Sequence, residues 1–332
     1  MRMDHLVSIT DNVGLFEHCD GNQPRPEHGY CVDDVARGVV VLQRLRSKDL
    51  QLQRMLSIYL AFLEQSQDSQ GLIQNRLSID GLWSGEPSTH DHWGRALWAW
   101  GTTVRMSGDA NQGAEAYERF QLSARRRSPF VRSMAFAALG ASEVLHVLPG
   151  DHVAKALLED TLAAIPIPTT LSWPWPESRL TYANAVIPEV LMLGGLHLQR
   201  QDQMRLGMLM LNWLIEIQMN GDHFSPIPHK GWAPGDVLPA FDQQPIEIAA
   251  MADACSTAYD ITSDPMWIRS IRRAYQWFDG HNDQGVSMCD LATGAGFDGL
   301  TQDGRNENNG AESTLAYLSV ADRANIFAEV PA

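Results

Sequence analysis

HGYCVDDVARGVVVL, residues 28–42, passes from a polar loop through two adjacent carboxylates, Asp33 and Asp34, straight into an apolar segment. The apolar run is dense enough for a helix covered on several sides rather than one lying on a surface. The same grammar recurs along the chain. A loop rich in Gly, Pro, Trp, His and acids leads into an apolar helix with many small residues, starting near Val32, Asp91, Pro129, Tyr182, Pro245 and Ala311. A short turn and a more amphipathic helix follow, over residues 50–67, 111–126, 151–164, 203–219 and 265–278.

Each helix type carries its own local signature. MLSIYLAFLEQ (55–65) and MLMLNWLIEIQ (208–218) place apolar residues at helical spacing with polar residues opposite, the pattern of an outer-layer helix. VRSMAFAALGASEVLHVL (131–148) and ANAVIPEVLMLGGLHLQ (183–199) are apolar nearly all round, as a helix buried on every side must be. SGD, LPGD and TSDP separate the two types where a helix has to stop. Six such units in 332 residues give about 55 residues each, a period that reads as stacked supersecondary units with the loops gathered on one face. The expected fold is all-α, one (α/α)6 toroid spanning residues 1–332, with inner helices in a ring and outer helices shielding them. The competing arrangement is an open helical solenoid. The ring needs a sixth outer helix, and only residues 1–10 remain to supply it; either that helix is short or the exposed edge meets another subunit.

Composition narrows the partners. A formal charge of −15 opposes a phosphate backbone or an anionic membrane, so neither nucleic acid nor membrane is expected, and a neutral ligand suits the chain better. No apolar run reaches the roughly 20 residues of a membrane helix, and MRMDHLVSIT lacks the apolar core of a signal peptide. Four cysteines without a CxxC pair indicate neither a disulfide framework nor a zinc cluster, and a cytoplasmic location is the simplest expectation. No P-loop, GxGxxG, HExxH or GxSxG motif is present, and no cofactor or metal is expected; HDH at 90–92 precedes a helix in a setting better suited to substrate binding than to ligation.

The loop-to-helix junctions repeat the same residue types. They offer Tyr30, Asp33, Asp34 and Arg37; His90, Asp91, His92, Trp93 and Arg95; Arg132; Trp173, Trp175, Glu177, Arg179, Tyr182, Asn184 and Glu189; Asp242, Gln244 and Glu247; and Asp298, Arg305, Asn306, Glu307, Asn309 and Glu312. Any single acid at such a junction is readily explained as a helix cap or an ion-pair partner, Asp34 with Arg37 or Asp91 with Arg95. Capping accounts less well for Glu189, Glu247 and Glu312, which sit inside apolar stretches where a carboxylate is costly unless it is paired or faces a polar cavity. Three such cases in three units point to a shared cavity, the axial funnel of a toroid. Trp83, Trp173, Trp175 and Trp232 lie in loops, where they serve either as sugar-stacking faces or as plugs over the rim.

TDNVGLFEHCDG (10–21) with HGYCVDDVARGVVVL, and FDGLTQDGRNENNGAESTLAYL (297–318), resemble the six-hairpin glycosidase superfamily, and more narrowly a bacterial domain group found beside or fused to glycosyltransferases. The resemblance implies a toroid acting on carbohydrate, with hydrolases, phosphorylases, lyases and epimerases all within the superfamily. This chain departs from the fused members in having no transferase domain, so it is expected to work either alone or through a separate glycosyltransferase partner.

An inverting glycosidase needs one protonated carboxyl for the leaving oxygen and one ionised carboxylate to activate water, about 6.5–9.5 Å apart. The expected pair joins Asp33 or Asp34 with Asp91 or Glu312. Glu312 is expected as the acid, its proton held by an apolar helix, and Asp34 as the base beside Arg37. Tyr30, Arg37, His92, Trp93, Trp173, Trp175, Tyr182, Asn184, Glu189, Glu247 and Asn309 are the expected contacts of an oligosaccharide or glycoside. Two alternatives stand beside hydrolysis: a non-catalytic glycan-binding subunit, and an epimerase using His92 or His223 as proton shuttle. A homo-oligomer is compatible with either.

Overall fold

The computed structural model describes residues 1–170 and 172–330. Six inner helices follow six polar loops: α2 (Val32–Leu45), α4 (Asp91–Met106), α6 (Val131–Val147), α8 (Val186–His197), α10 (Pro245–Thr262) and α12 (Ala311–Ile326). Five outer helices alternate with them: α3 (Leu50–Ser66), α5 (Ala110–Ser123), α7 (His152–Ala164), α9 (Gln201–Ile217) and α11 (Pro265–Phe278). Each inner helix packs on the next, and α12 packs back on α2, which closes the ring and excludes an open solenoid. The sixth outer position holds only α1 (Asp4–Ser8), a short helix against α12. It leaves a cleft of about 680 Å³ between α3 and α11, lined by Met3, Leu52, Tyr275, Tyr317 and Ala324.

The two layers begin differently. Asp49, Asp109, Asp151 and Asp264 cap outer helices α3, α5, α7 and α11, each side chain accepting backbone N–H groups of its own first turn. The residues preceding the inner helices make no such side-chain bond. Acids in the first turns of inner helices bond side chains or a neighbouring segment instead of their own helix's N–H groups. Two inner helices start later than their sequence pattern suggests, α6 by two residues and α8 by four. Ala183 and Asn184 donate their backbone N–H groups to Glu247 of α10, and Ala183 adopts a left-handed φ of 45°, so α8 begins at Val186 rather than at Tyr182.

Small residues set the ring's closest approach. A Cβ on Gly94 or Gly101 of α4 would lie 2.2 Å from a carbonyl oxygen of α6, and one on Gly140 of α6 would lie 2.2 Å from the Leu97 carbonyl oxygen. Short antiparallel pairs decorate the loop face. Tyr30–Cys31 pairs with Arg76–Leu77, which pairs in turn with Trp83–Ser84, in a register that sets Arg76 opposite Cys31. Cys19, Cys31, Cys255 and Cys289 are buried and unpaired. No helix among the described residues is long and apolar enough to cross a membrane.

Candidate active site

The loop ends of α2, α4, α10 and α12 enclose an open pocket of about 580 Å³ at the mouth of the funnel. Glu17, Asp33, Asp34, Asp91, Asp298 and Glu312 line it together with Arg37, Arg76 and Arg95. Six carboxylates against three guanidinium groups leave the pocket acidic, which suits a neutral, hydroxyl-rich ligand better than an anion.

Arg37 organises its centre. One turn along α2 from Asp34, it donates from Nη1 to Asp34 Oδ1 at 2.5 Å and from Nη2 to Glu312 Oε2 at 2.5 Å. The two carboxylates come from opposite ends of the chain and meet because α12 closes the ring on α2. Their surroundings differ. Asp34 is 3% exposed and its Oδ2 also accepts from Cys31 Sγ at 3.1 Å. Burial pushes its carboxyl up to about 6 against the pull of Arg37, and the Glu312 charge adds to the rise. The Glu312 side chain is 37% exposed. Glu312 therefore sits at the open rim on Arg37 rather than in the apolar sheath expected of an acid, and Asp34 occupies the desolvated position. The environments are the reverse of those read from the sequence.

Asp33 turns the other way, toward α4: Arg95 Nε lies 3.2 Å from its Oδ1 and Asn75 Nδ2 donates to its Oδ2 at 3.1 Å. Asp91 is held at both oxygens, by Ser133 Oγ at 2.7 Å and Tyr182 Oη at 2.6 Å. Tyr182 is positioned from behind. Arg132 donates from Nε to its carbonyl oxygen, lies under its ring at 5.1 Å, and joins Glu177 and Asn184. Asn184 in turn donates to Glu247 at 3.0 Å.

Asp33, Asp34, Asp91, Arg37, Tyr182 and Glu312 thus converge at the mouth, and other expected ligand contacts do not. Tyr30 is buried, donating its hydroxyl to Asp11. His92 is buried, 3.0 Å from the Ile73 carbonyl oxygen. Trp93 and Trp175 are core residues with no face for a ligand. Trp173 packs edge-on against Trp213 and Trp232, and no tryptophan among the described residues lines the mouth, which corrects the expectation of stacking platforms there. Asn309 is buried and bonds the Gly296 carbonyl oxygen. Asn184 and Glu247 form the buried strut just described, so Glu247 is a capping group for the approach to α8 and does not face the funnel. With only backbone N–H groups, Asn184 and a distant Arg132 to offset burial, its carboxyl is pushed up to about 7.

Sequence reading passed over Glu17, Cys31 and Arg76. Arg76 pairs with Glu17 across the mouth and reaches it through the strand register with Cys31, a long-range pairing without a local signal. Glu17, Cys31 and Asp34 have donor atoms within 4.8 Å of one another, close enough for one metal ion. Their chemistry opposes one: Arg76 and Arg37 neutralise the carboxylates, and burial with nearby acids pushes the Cys31 thiol well up.

Beneath the mouth lies a second, smaller cavity of about 60 Å³. Arg37, Arg95, Glu312 and Ile246 border both spaces and form the partition. Its walls are apolar, and its far end is a charged floor where Arg44 and Arg323 grip Asp253 at 2.8–2.9 Å. Glu189 faces this chamber, not the mouth. Thr257 Oγ1 donates to its Oε1 at 2.9 Å, while Oε2 is buried without a partner. Burial, with the Asp253 charge adding, pushes the Glu189 carboxyl up to about 8.

No family model and no curated protein sequence matches the chain. Solved structures do match its fold. A sugar epimerase from a ruminal bacterium aligns over 98% of this chain and 95% of its own at a TM-score of 0.74 and 11% identity. The cellobiose 2-epimerase of Bacillus thermoamylovorans B4167 covers 99% and 96% at 0.73 and 11% identity. A GH76 α-mannanase of Bacteroides thetaiotaomicron covers 99% and 93% at 0.68 and 9% identity. The chain has the (α/α)6 toroid fold, as its repeat pattern predicts.

Proposed function

We propose that the mouth is the active site of a carbohydrate-active enzyme, an inverting glycoside hydrolase in which Asp34 is the general acid and Glu312 the general base. The observation that carries this reading is the Asp34–Arg37–Glu312 bridge, which holds two carboxyl groups of unlike surroundings at one open pocket. Groups whose environments drive their proton affinities apart are natural acid and base partners. In the step, the Asp34 carboxyl gives its proton to the glycosidic oxygen as that oxygen's bond to the anomeric carbon breaks. Glu312 takes a proton from water as the water oxygen bonds to the same carbon from the opposite side. Asp34 is left ionised and Glu312 protonated, and exchange with solvent resets both. Asp91, fixed by Ser133 and Tyr182, is a ready acceptor for a sugar hydroxyl. Toroids of this shape among the solved structures include a mannanase as well as epimerases, which agrees with a sugar at the mouth.

The epimerase reading draws on the same likeness, but the two imidazoles expected to carry it, His92 and His223, do not line the mouth. His92 is buried in the first turn of α4, against the Ile73 carbonyl oxygen, and His223, on the Met219–Phe224 hairpin, pairs with Asp283 at 3.0 Å. His18 is the one imidazole lining the mouth among the described residues. The deciding experiment is turnover of an oligosaccharide library by the wild type, Asp34→Asn and Glu312→Gln, with products read by NMR in deuterated water. Cleavage with inverted anomers, lost in both variants, is expected. Its kcat/KM should fall as pH rises through about 6, where Asp34 loses its proton. Deuterium at a sugar carbon without cleavage, or full turnover in both variants, would remove the hydrolase reading.

A further inference from the structure

The inner chamber is not needed to cleave a glycosidic bond at the mouth, yet Arg37, Arg95, Ile246 and Glu312 border both spaces. Its volume of about 60 Å³ holds only a substituent of a few non-hydrogen atoms, on the scale of roughly four water-sized probes. Trp98 and Phe136 stack along one side with planes 12° apart, and Val40, Val41 and Leu315 complete the apolar surround.

The polar atoms of the lining residues that lack partners, Arg37 Nε, Arg95 Nε and Glu189 Oε2, share one character. Arg37 donates from both Nη atoms to carboxylates, but its Nε is buried without an acceptor at the partition. Glu189, 4% exposed, has Oε1 satisfied by Thr257 and Oε2 unpartnered. A carboxylate buried without a partner takes up a proton rather than keep its charge, and the Asp253 charge nearby reinforces this. Glu189 Oε2 is then a donor too. Unmatched donors beside apolar walls suit a group that accepts hydrogen bonds, carries none of its own to give, and ends in hydrocarbon. A carboxylic ester has that inventory. An amide or a hydroxyl brings a donor that finds no acceptor among these unmatched atoms.

We propose that the chamber is a subsite for a short O-acyl group carried by the sugar at the mouth, its carbonyl oxygen accepting from the Glu189 carboxyl and its alkyl end packed on Trp98 and Val40. The inference rests on the mouth being a sugar site, but its test needs no turnover, so failure of the acid–base pair and failure of the subsite give different results.

The test is an NMR titration of the full chain with methyl acetate and with its isosteric amide, N-methylacetamide. Wild type should bind the ester roughly tenfold more tightly, the worth of one unmatched hydrogen-bonding group. Intermolecular NOEs should connect the ester to the methyls of Val40, Val41 and Leu315. Glu189→Gln retains a donor and should hold the ester within about twofold, whereas Glu189→Met should weaken it roughly tenfold. Ala316→Leu, which fills the chamber, should abolish binding. Equal affinity for the two fragments, absence of those NOEs, ester binding that survives Ala316→Leu, or an undiminished Glu189→Met would each overturn the proposal. The wild-type comparison and its NOEs decide the matter even if a variant does not fold.

Discussion

Replacing Asp34 by Asn should make the protein more stable at neutral pH while removing its turnover. Burial raises the Asp34 carboxyl from its ordinary 3.8 to about 6 even with Arg37 at 2.5 Å, so the fold prefers the neutral form. The sign follows by linkage. Between 3.8 and about 6 the native state holds a proton that the unfolded chain releases, so stability falls as pH rises through this window and stays reduced above it. At about 1.4 kcal/mol per pH unit, the ionised group costs about 3 kcal/mol at pH 7–8, and this cost vanishes below 3.8. An asparagine in its place would keep an oxygen for Arg37 without the charge, so the gain should approach 3 kcal/mol less whatever the weaker Arg37 contact gives up. Urea unfolding of wild type and Asp34→Asn at pH 4, 5, 6, 7 and 8 measures it. The variant's advantage should open between pH 4 and 6 and level off above about 6.5. A difference that does not change with pH, or a variant less stable at pH 8 than at pH 4 relative to wild type, would show that Asp34 is not desolvated as described. Stability gained where turnover is lost is the usual signature of a residue strained for function.

Tyr182→Phe removes one of the two bonds on Asp91 and should lower kcat/KM roughly tenfold with little change in melting temperature, since Ser133 still holds the other oxygen; kinetics and calorimetry on the same sample check both halves. Gly101→Ala should destabilise by about 1–3 kcal/mol, because its Cβ would meet the Gly140 carbonyl oxygen at 2.2 Å. Gly113→Ala on outer helix α5, with nothing within 4 Å, should instead stabilise by up to about 1 kcal/mol, and thermal unfolding of the pair tests the close approach of α4 and α6.

Helix placement was legible because it depends on neighbours three and four residues away. Four of the five outer helices show their caps in the sequence, and four of the six inner helices start at the residue where polar loop changes to apolar run. The two others bracket what the pattern misses. α6 begins two residues beyond Pro129, and α8 begins four beyond Tyr182 because a carboxylate from a different unit captures the preceding backbone. That capture also separates Glu247 from Glu312. Both are first-turn acids of inner helices within apolar stretches of sequence, yet one braces a neighbouring segment and the other reaches the open mouth.

By itself, then, the chain's residue pattern determined six apolar inner helices, five of them followed by an outer helix, and a rim rich in acids, since periodicity, caps and turns act over one or two helical turns, whereas closure of the ring rests on the packing of α12 against α2. Only the tertiary structure decided which acids meet, which of them is stripped of water, and that Glu189 looks into a second space. Proton affinity and hydrogen-bond pairing depend on groups brought together across the ring, from residues as far apart as Arg37 and Glu312, and no local pattern carries that information.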